Sequence, residues 1–127
     1  MELTAIVIGI ALLEYAVFTM LCGRARARSG VVAPATSGDP TFERYFRVQQ
    51  NSVEQLIIFV PAMLLFGHYV NAPIGAGLGL VFVLGRALFA RGYYRDPPKR
   101  AAGFGLSLLS NLALLLGGLI GAVIAYF

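Results

Sequence analysis

The chain has 127 residues, of which 58% are hydrophobic and only 13% charged, with a formal net charge of +4 and a mean hydropathy of +0.78. A water-soluble domain is roughly 45–50% apolar and about 25% charged, so this composition excludes an aqueous globule, a disordered chain and a collagen-like repeat. A single cysteine, Cys22, excludes an intrachain disulfide and any metal site built from several cysteines.

One membrane-spanning helix consumes about 20 apolar residues, so four consume roughly 80 and leave only short connections. The chain therefore reads as one domain over residues 1–127, an all-α, integral membrane, up-down four-helix bundle. The first span runs from about Leu3 to Cys22 and is broken only by Glu14. Its acidic start and its length fit a retained signal anchor rather than a cleaved leader. Arg24, Arg26 and Arg28 follow, and Gly30 to Thr41, with Pro34, Ser37, Gly38, Asp39 and Pro40, reads as a loop. A second helix is expected over about 42–69, polar in its first half and apolar from Leu56 to Phe66. Pro61 within it is tolerable in a membrane, where neighbouring groups satisfy the freed carbonyl. The third span covers about 74–94 and stops at Asp96-Pro97-Pro98; the fourth, about 101–126, carries no charge. Gly75 and Gly79, and Gly117 and Gly121, have the small-xxx-small spacing that lets helix backbones approach.

All ten Lys and Arg residues fall between Arg24 and Arg47 or between Arg86 and Arg100, in or beside the first and third connections. Positive charge stays on the cytoplasmic side, which places those two loops there. The basic pI of about 9.6 is thus a topology signal, and no nucleic-acid partner is expected. A bacterial inner membrane and the endoplasmic reticulum both fit.

Several polar residues sit where a membrane helix should be apolar. Arg47, Asn51 and Glu54 are spaced i, i+4, i+7 and share one helix face. Arg86 and Tyr93 stand seven apart on the third span. Ionisable groups in spans face the bundle interior or a wet cavity, and they pair with one another or hold a ligand. Arg47, Glu54 and Arg86 are therefore expected to meet between helices, either as a structural network or as a binding site. Two arginines supply forked donors for carboxylates, Asn51 an amide and Glu54 an acceptor for an amine. Tyr93 and Arg100 can reach a third polar group. A zwitterionic, peptide-like ligand with more acids than amines matches this set. Glu14 is read mainly as a structural acid, with proton coupling as the other possibility.

The run from Glu43 to Gln55 (ERYFRVQQNSVEQ) resembles the second-helix motif of the membrane-associated proteins in eicosanoid and glutathione metabolism. Gly85-Arg86, then Arg91-Gly92-Tyr93-Tyr94 and Asp96-Pro97-Pro98-Lys99-Arg100, resembles the end of that family's third helix and the loop after it. The resemblance implies a homotrimer that binds glutathione between subunits and conjugates it to lipophilic electrophiles, or uses it to reduce lipid hydroperoxides. It implies Arg100 as the catalytic residue that stabilises the glutathione thiolate. Arg26, Arg47, Gln49, Asn51, Glu54, Arg86 and Tyr93 are implied as glutathione ligands, with no metal. Phe89 and Gln55 stand where leukotriene-forming members carry tyrosines, so the chain is more similar to general microsomal glutathione transferases or bacterial members. Two other readings stay open: a small proton-coupled multidrug exporter using Glu14, and a non-enzymatic lipid-binding or activating protein of the same family.

Overall fold

A computed structural model describes all residues, Met1–Phe127. It contains four helices, α1 (Glu2–Ser29), α2 (Pro40–Tyr69), α3 (Ala72–Arg95) and α4 (Ala101–Tyr126), with a short 3₁₀ turn at Pro97–Arg100 and no strands. All four are long and apolar enough to cross a membrane.

The helix ends follow from local chemistry. α1 runs on through the three arginines, which are good helix formers, and ends at Gly30, whose φ of 77° closes the helix through its N–H to the Arg26 carbonyl. It therefore outlasts the expected apolar span by about two turns. α2 begins at Pro40 behind Asp39, whose carboxylate accepts from the Phe42 N–H at 2.8 Å. Asn71 caps α3 in the same way through the Ile74 N–H at 2.8 Å, and Pro73 lies in its first turn rather than in the link. The helix over 40–69 continues through Pro61.

α2 and α3 form the centre, and both α1 and α4 pack against each of them. Thr4 near the start of α1 touches Gly67 near the end of α2, and Gly92 near the end of α3 touches the Lys99 carbonyl just before α4. Consecutive helices are thus antiparallel, as the expected up-down order requires. The core joins Val7, Phe59, Met63, Phe66, Phe82 and Leu114, with Phe59 and Phe82 stacked at 4.0 Å. Outside it, Leu13, Met20, Ile57, Leu109 and Ile124 project outward, as suits surfaces bathed in lipid. Because lipid is as apolar as leucine, helix association here rests on close packing more than on hydrophobic transfer.

The glycines supply that packing. Gly79 accepts Val7 and Met63, while Gly117, Gly118 and Gly121 accept Leu65, Phe66 and Tyr69, so both expected glycine pairs work inside this chain. The tightest approach is Gly103 of α4, where an added Cβ would overlap the Phe89 backbone of α3. Gly103→Ala should lower stability by about 2–3 kcal/mol, the scale of overpacking against an unyielding wall. A drop in the unfolding temperature of the detergent-solubilised protein measures it; an unchanged value would mean that α3 and α4 separate freely.

Candidate functional site

Helix arithmetic places the site. At roughly 100° per residue, Arg47, Gln50, Asn51 and Glu54 fall on one side of α2. That side faces Phe89 and Tyr93 of α3, and Pro98, Arg100, Ala101, Phe104 and Gly105 at the start of α4; together they enclose an open groove of about 1050 Å³. Its location is set by the 3₁₀ turn. Asp96 ends α3 in an extended conformation, and the turn over Pro97–Arg100 brings Arg100 back over the end of that helix. The Arg100 Nη1 donates to the Pro97 carbonyl at 2.9 Å, and its guanidinium lies 5.7 Å from the centre of the Tyr93 ring.

Arg47, Glu54 and Arg100 are exposed, and none pairs with a neighbour, since the N-terminus with Glu2 is the sole ion pair within 4.0 Å. The groove thus presents two free guanidiniums, a free carboxylate and an amide between aromatic walls.

Arg86 does something different. It is 1% exposed and does not meet Glu54 or Arg47. Its Nη2 donates to Asn51 Oδ1 at 2.8 Å and to Ser52 Oγ at 3.0 Å, and its Nη1 donates to Ser107 Oγ at 3.3 Å. The guanidinium lies 4.2 Å over the Phe89 ring. This side chain ties α2, α3 and α4 together below the groove floor. It also sets Asn51: with the amide oxygen taken by Arg86, a donor only, the two amide N–H bonds are what remain for a ligand. Arg47, Glu54 and Arg86 do not meet: Arg86 turns inward to Ser52 and Ser107, while Arg47 and Glu54 line the open groove.

Two other expected ligands point elsewhere within this chain. Gln49 lies on the far side of α2, where its Nε2 donates to Thr19 Oγ1 of α1 at 3.3 Å; Gln50 takes the groove position. Arg26 donates to the Ala35 carbonyl at 2.7 Å and covers the Phe42 ring at 4.5 Å, which fastens the first loop onto α1. Gln55, which stands where leukotriene-forming members carry a tyrosine, accepts from Asn111 Nδ2 through its carbonyl at 3.2 Å and its Oε1 at 3.3 Å. It serves the α2–α4 contact. Sequence reasoning missed Ser52, Ser107 and Gln50; only the helical register of Gln50 announced itself.

Glu14 is half-buried and lines a crevice with Arg86, Phe18, Ser52 and Phe82 that leaves no room for water. A half-buried acid facing a buried arginine across one crevice suits a packing role.

Residues 4–120 match the MAPEG family. An uncharacterized protein of Synechocystis is 46% identical over 116 residues, 91% of this chain and 85% of its own length. The microsomal glutathione S-transferase 2 of Homo sapiens is 44% identical over 103 residues, 80% of this chain and 70% of that protein. The leukotriene C4 synthase of Cavia porcellus is 33% identical over 99 residues, 78% of this chain and 65% of that enzyme.

Proposed function

The chain belongs to the MAPEG family, and on that premise we propose that it is a membrane-bound glutathione transferase whose groove between α2, α3 and α4 binds the tripeptide. The observation that carries this reading is the set of unpaired groups in the groove. Glutathione has two carboxylates, one ammonium and one thiol. Arg47 suits a carboxylate, Glu54 the ammonium, the Asn51 amide a peptide carbonyl, and Arg100 the sulfur, with Tyr93 beside it.

The chemistry asks little more of the protein. A free thiol titrates near pKa 8.5, and an adjacent cation lowers that value and enlarges the thiolate fraction at neutral pH. Arg100 is charged at any physiological pH and acts without giving up a proton. The thiol proton leaves to solvent, the thiolate forms a C–S bond to the electrophile, and a leaving group such as halide departs with the C–X electron pair. Phe46, Phe89 and Phe104 give the groove an apolar wall, which suits an electrophile arriving from the bilayer. Reduction of lipid hydroperoxides by the same thiolate is the companion activity.

The groove is one cation short. Two carboxylates and a thiolate make three anionic groups, against the guanidiniums of Arg47 and Arg100. A second copy of the chain, in a homotrimer with the groove at the interface, supplies the missing charge and covers the exposed polar side of α2. Arg26 of that copy is the residue assigned to it, released from its contact with Ala35, and Gln49 approaches from the same neighbour. The basic loops, and with them the groove, face the cytoplasm, where glutathione is available.

Purified protein in detergent should conjugate glutathione to a hydrophobic aryl halide, and Glu54→Gln should raise the KM for glutathione roughly tenfold or more, the scale of one lost charge-assisted hydrogen bond. Steady-state kinetics decide this, and an unchanged KM would remove Glu54 from the binding site.

A further inference from the structure

A second polar cavity lies at the end of α1 and shares no residue with the groove. It holds about 370 Å³ and is bounded by Arg24 and Arg28 of α1 and by Asp39 and Tyr45 at the start of α2, with Leu21 and Ala25 completing its wall. Arg24 and Arg28 are one turn apart and share a helix face. Both are exposed and neither forms an ion pair. Asp39 uses Oδ2 to cap α2, and its charge is likewise unpaired. Two cations and an acid line one cavity without pairing with each other, an arrangement complementary to a ligand with an anionic and a cationic end.

Depth identifies where that ligand resides. α1 has 28 residues, about 42 Å at 1.5 Å per residue, against a hydrocarbon core of about 30 Å. With the apolar stretch from Leu3 to Cys22 filling the hydrocarbon, Arg24 and Arg28 stand in the headgroup layer. Leu21 in the cavity wall is followed toward the apolar span by Met20, which is 72% exposed. We propose that this cavity is a binding site for the headgroup of a phospholipid, Arg24 and Arg28 gripping the phosphodiester and Asp39 the ammonium of phosphatidylethanolamine. Guanidinium forks match phosphate oxygens. Phosphatidylglycerol brings no cation to Asp39, and the trimethylated nitrogen of phosphatidylcholine has no N–H to donate.

Native mass spectrometry of the delipidated full-length protein tests the site, with phosphatidylethanolamine, phosphatidylglycerol and phosphatidylcholine of identical acyl chains offered in equal amounts. Water-soluble phosphoethanolamine serves as a fourth arm. The wild type should retain phosphatidylethanolamine in preference to the other two. The double variant Arg24→Ala/Arg28→Ala should retain it roughly tenfold less, the scale of removing surface cations from a headgroup. Asp39→Asn keeps a capping side chain and should erase the preference over phosphatidylglycerol while retaining lipid. Equal retention by wild type and double variant would overturn the site. Wild-type binding of phosphatidylglycerol as tight as that of phosphatidylethanolamine would overturn the role of Asp39. Competition by phosphoethanolamine as strong as by the lipid would overturn the membrane origin of the ligand.

Discussion

Arg100→Ala should cut conjugation at pH 7 by roughly 100-fold, the effect of removing one group that stabilises developing or resident negative charge at a reacting centre. The direction with pH follows from the role. Removing the cation lets the bound thiol return toward its ordinary pKa near 8.5, so the acidic limb of the pH–rate profile moves upward. The deficit should therefore be largest at neutral pH and shrink above pH 9, while glutathione affinity changes less than turnover. Arg100→Lys restores charge but not the fork and should recover part of the rate. A deficit that stays constant from pH 6.5 to 9.5 would show that Arg100 holds the ligand without ionising it. The fold should be unaffected, because Arg100 is exposed and its one hydrogen bond is to the Pro97 carbonyl within its own turn.

Arg86→Met should have the second large effect, and on a different quantity. The substitution keeps a long side chain in the space but leaves Asn51 Oδ1 and Ser52 Oγ without their donor and Glu14 without the opposite charge across its crevice. Buried polar groups left unpaired cost about 1–3 kcal/mol each, so a loss of about 2–4 kcal/mol and a clear fall in unfolding temperature are expected. Below that temperature the variant should show a raised KM for glutathione with kcat nearly intact, since a freed Asn51 amide rotates and no longer aims its N–H bonds into the groove. A residue that merely filled space would lower stability and leave KM alone. Equal KM values for Arg86→Met and wild type, measured well below both unfolding temperatures, would assign Arg86 to packing only.

The physics of the bilayer made the fold legible. Four apolar runs and the placement of all ten basic residues could hardly be arranged otherwise, and the breaker at Asp96-Pro97-Pro98 and the loop after Gly30 stand where expected. The length of α1 was less legible: apolarity reports where lipid ends, whereas backbone hydrogen bonding continues until a residue such as Gly30 turns it aside. In the groove, the i, i+4, i+7 spacing brought Arg47, Asn51 and Glu54 to one cavity. The same arithmetic puts Gln49 roughly 160° from Arg47 and Gln50 only about 60° away, so within one chain Gln50 shares the groove while Gln49 faces α1. Arg86 was unreadable for another reason. Spacing fixes the face a residue takes on its own helix but not what the neighbouring helices present there, and serines such as Ser52 and Ser107 carry no signal of their own.

On the proposed function, the charges left unpaired in the groove are the binding groups for glutathione. Isothermal titration calorimetry of the detergent-purified protein with glutathione tests it without any electrophile. The wild type should give saturable heat, Arg47→Ala and Glu54→Gln at least tenfold weaker binding (about 1.4 kcal/mol), and Arg100→Ala near-normal binding. Absence of heat in the wild type, or identical isotherms for all four proteins, would contradict it.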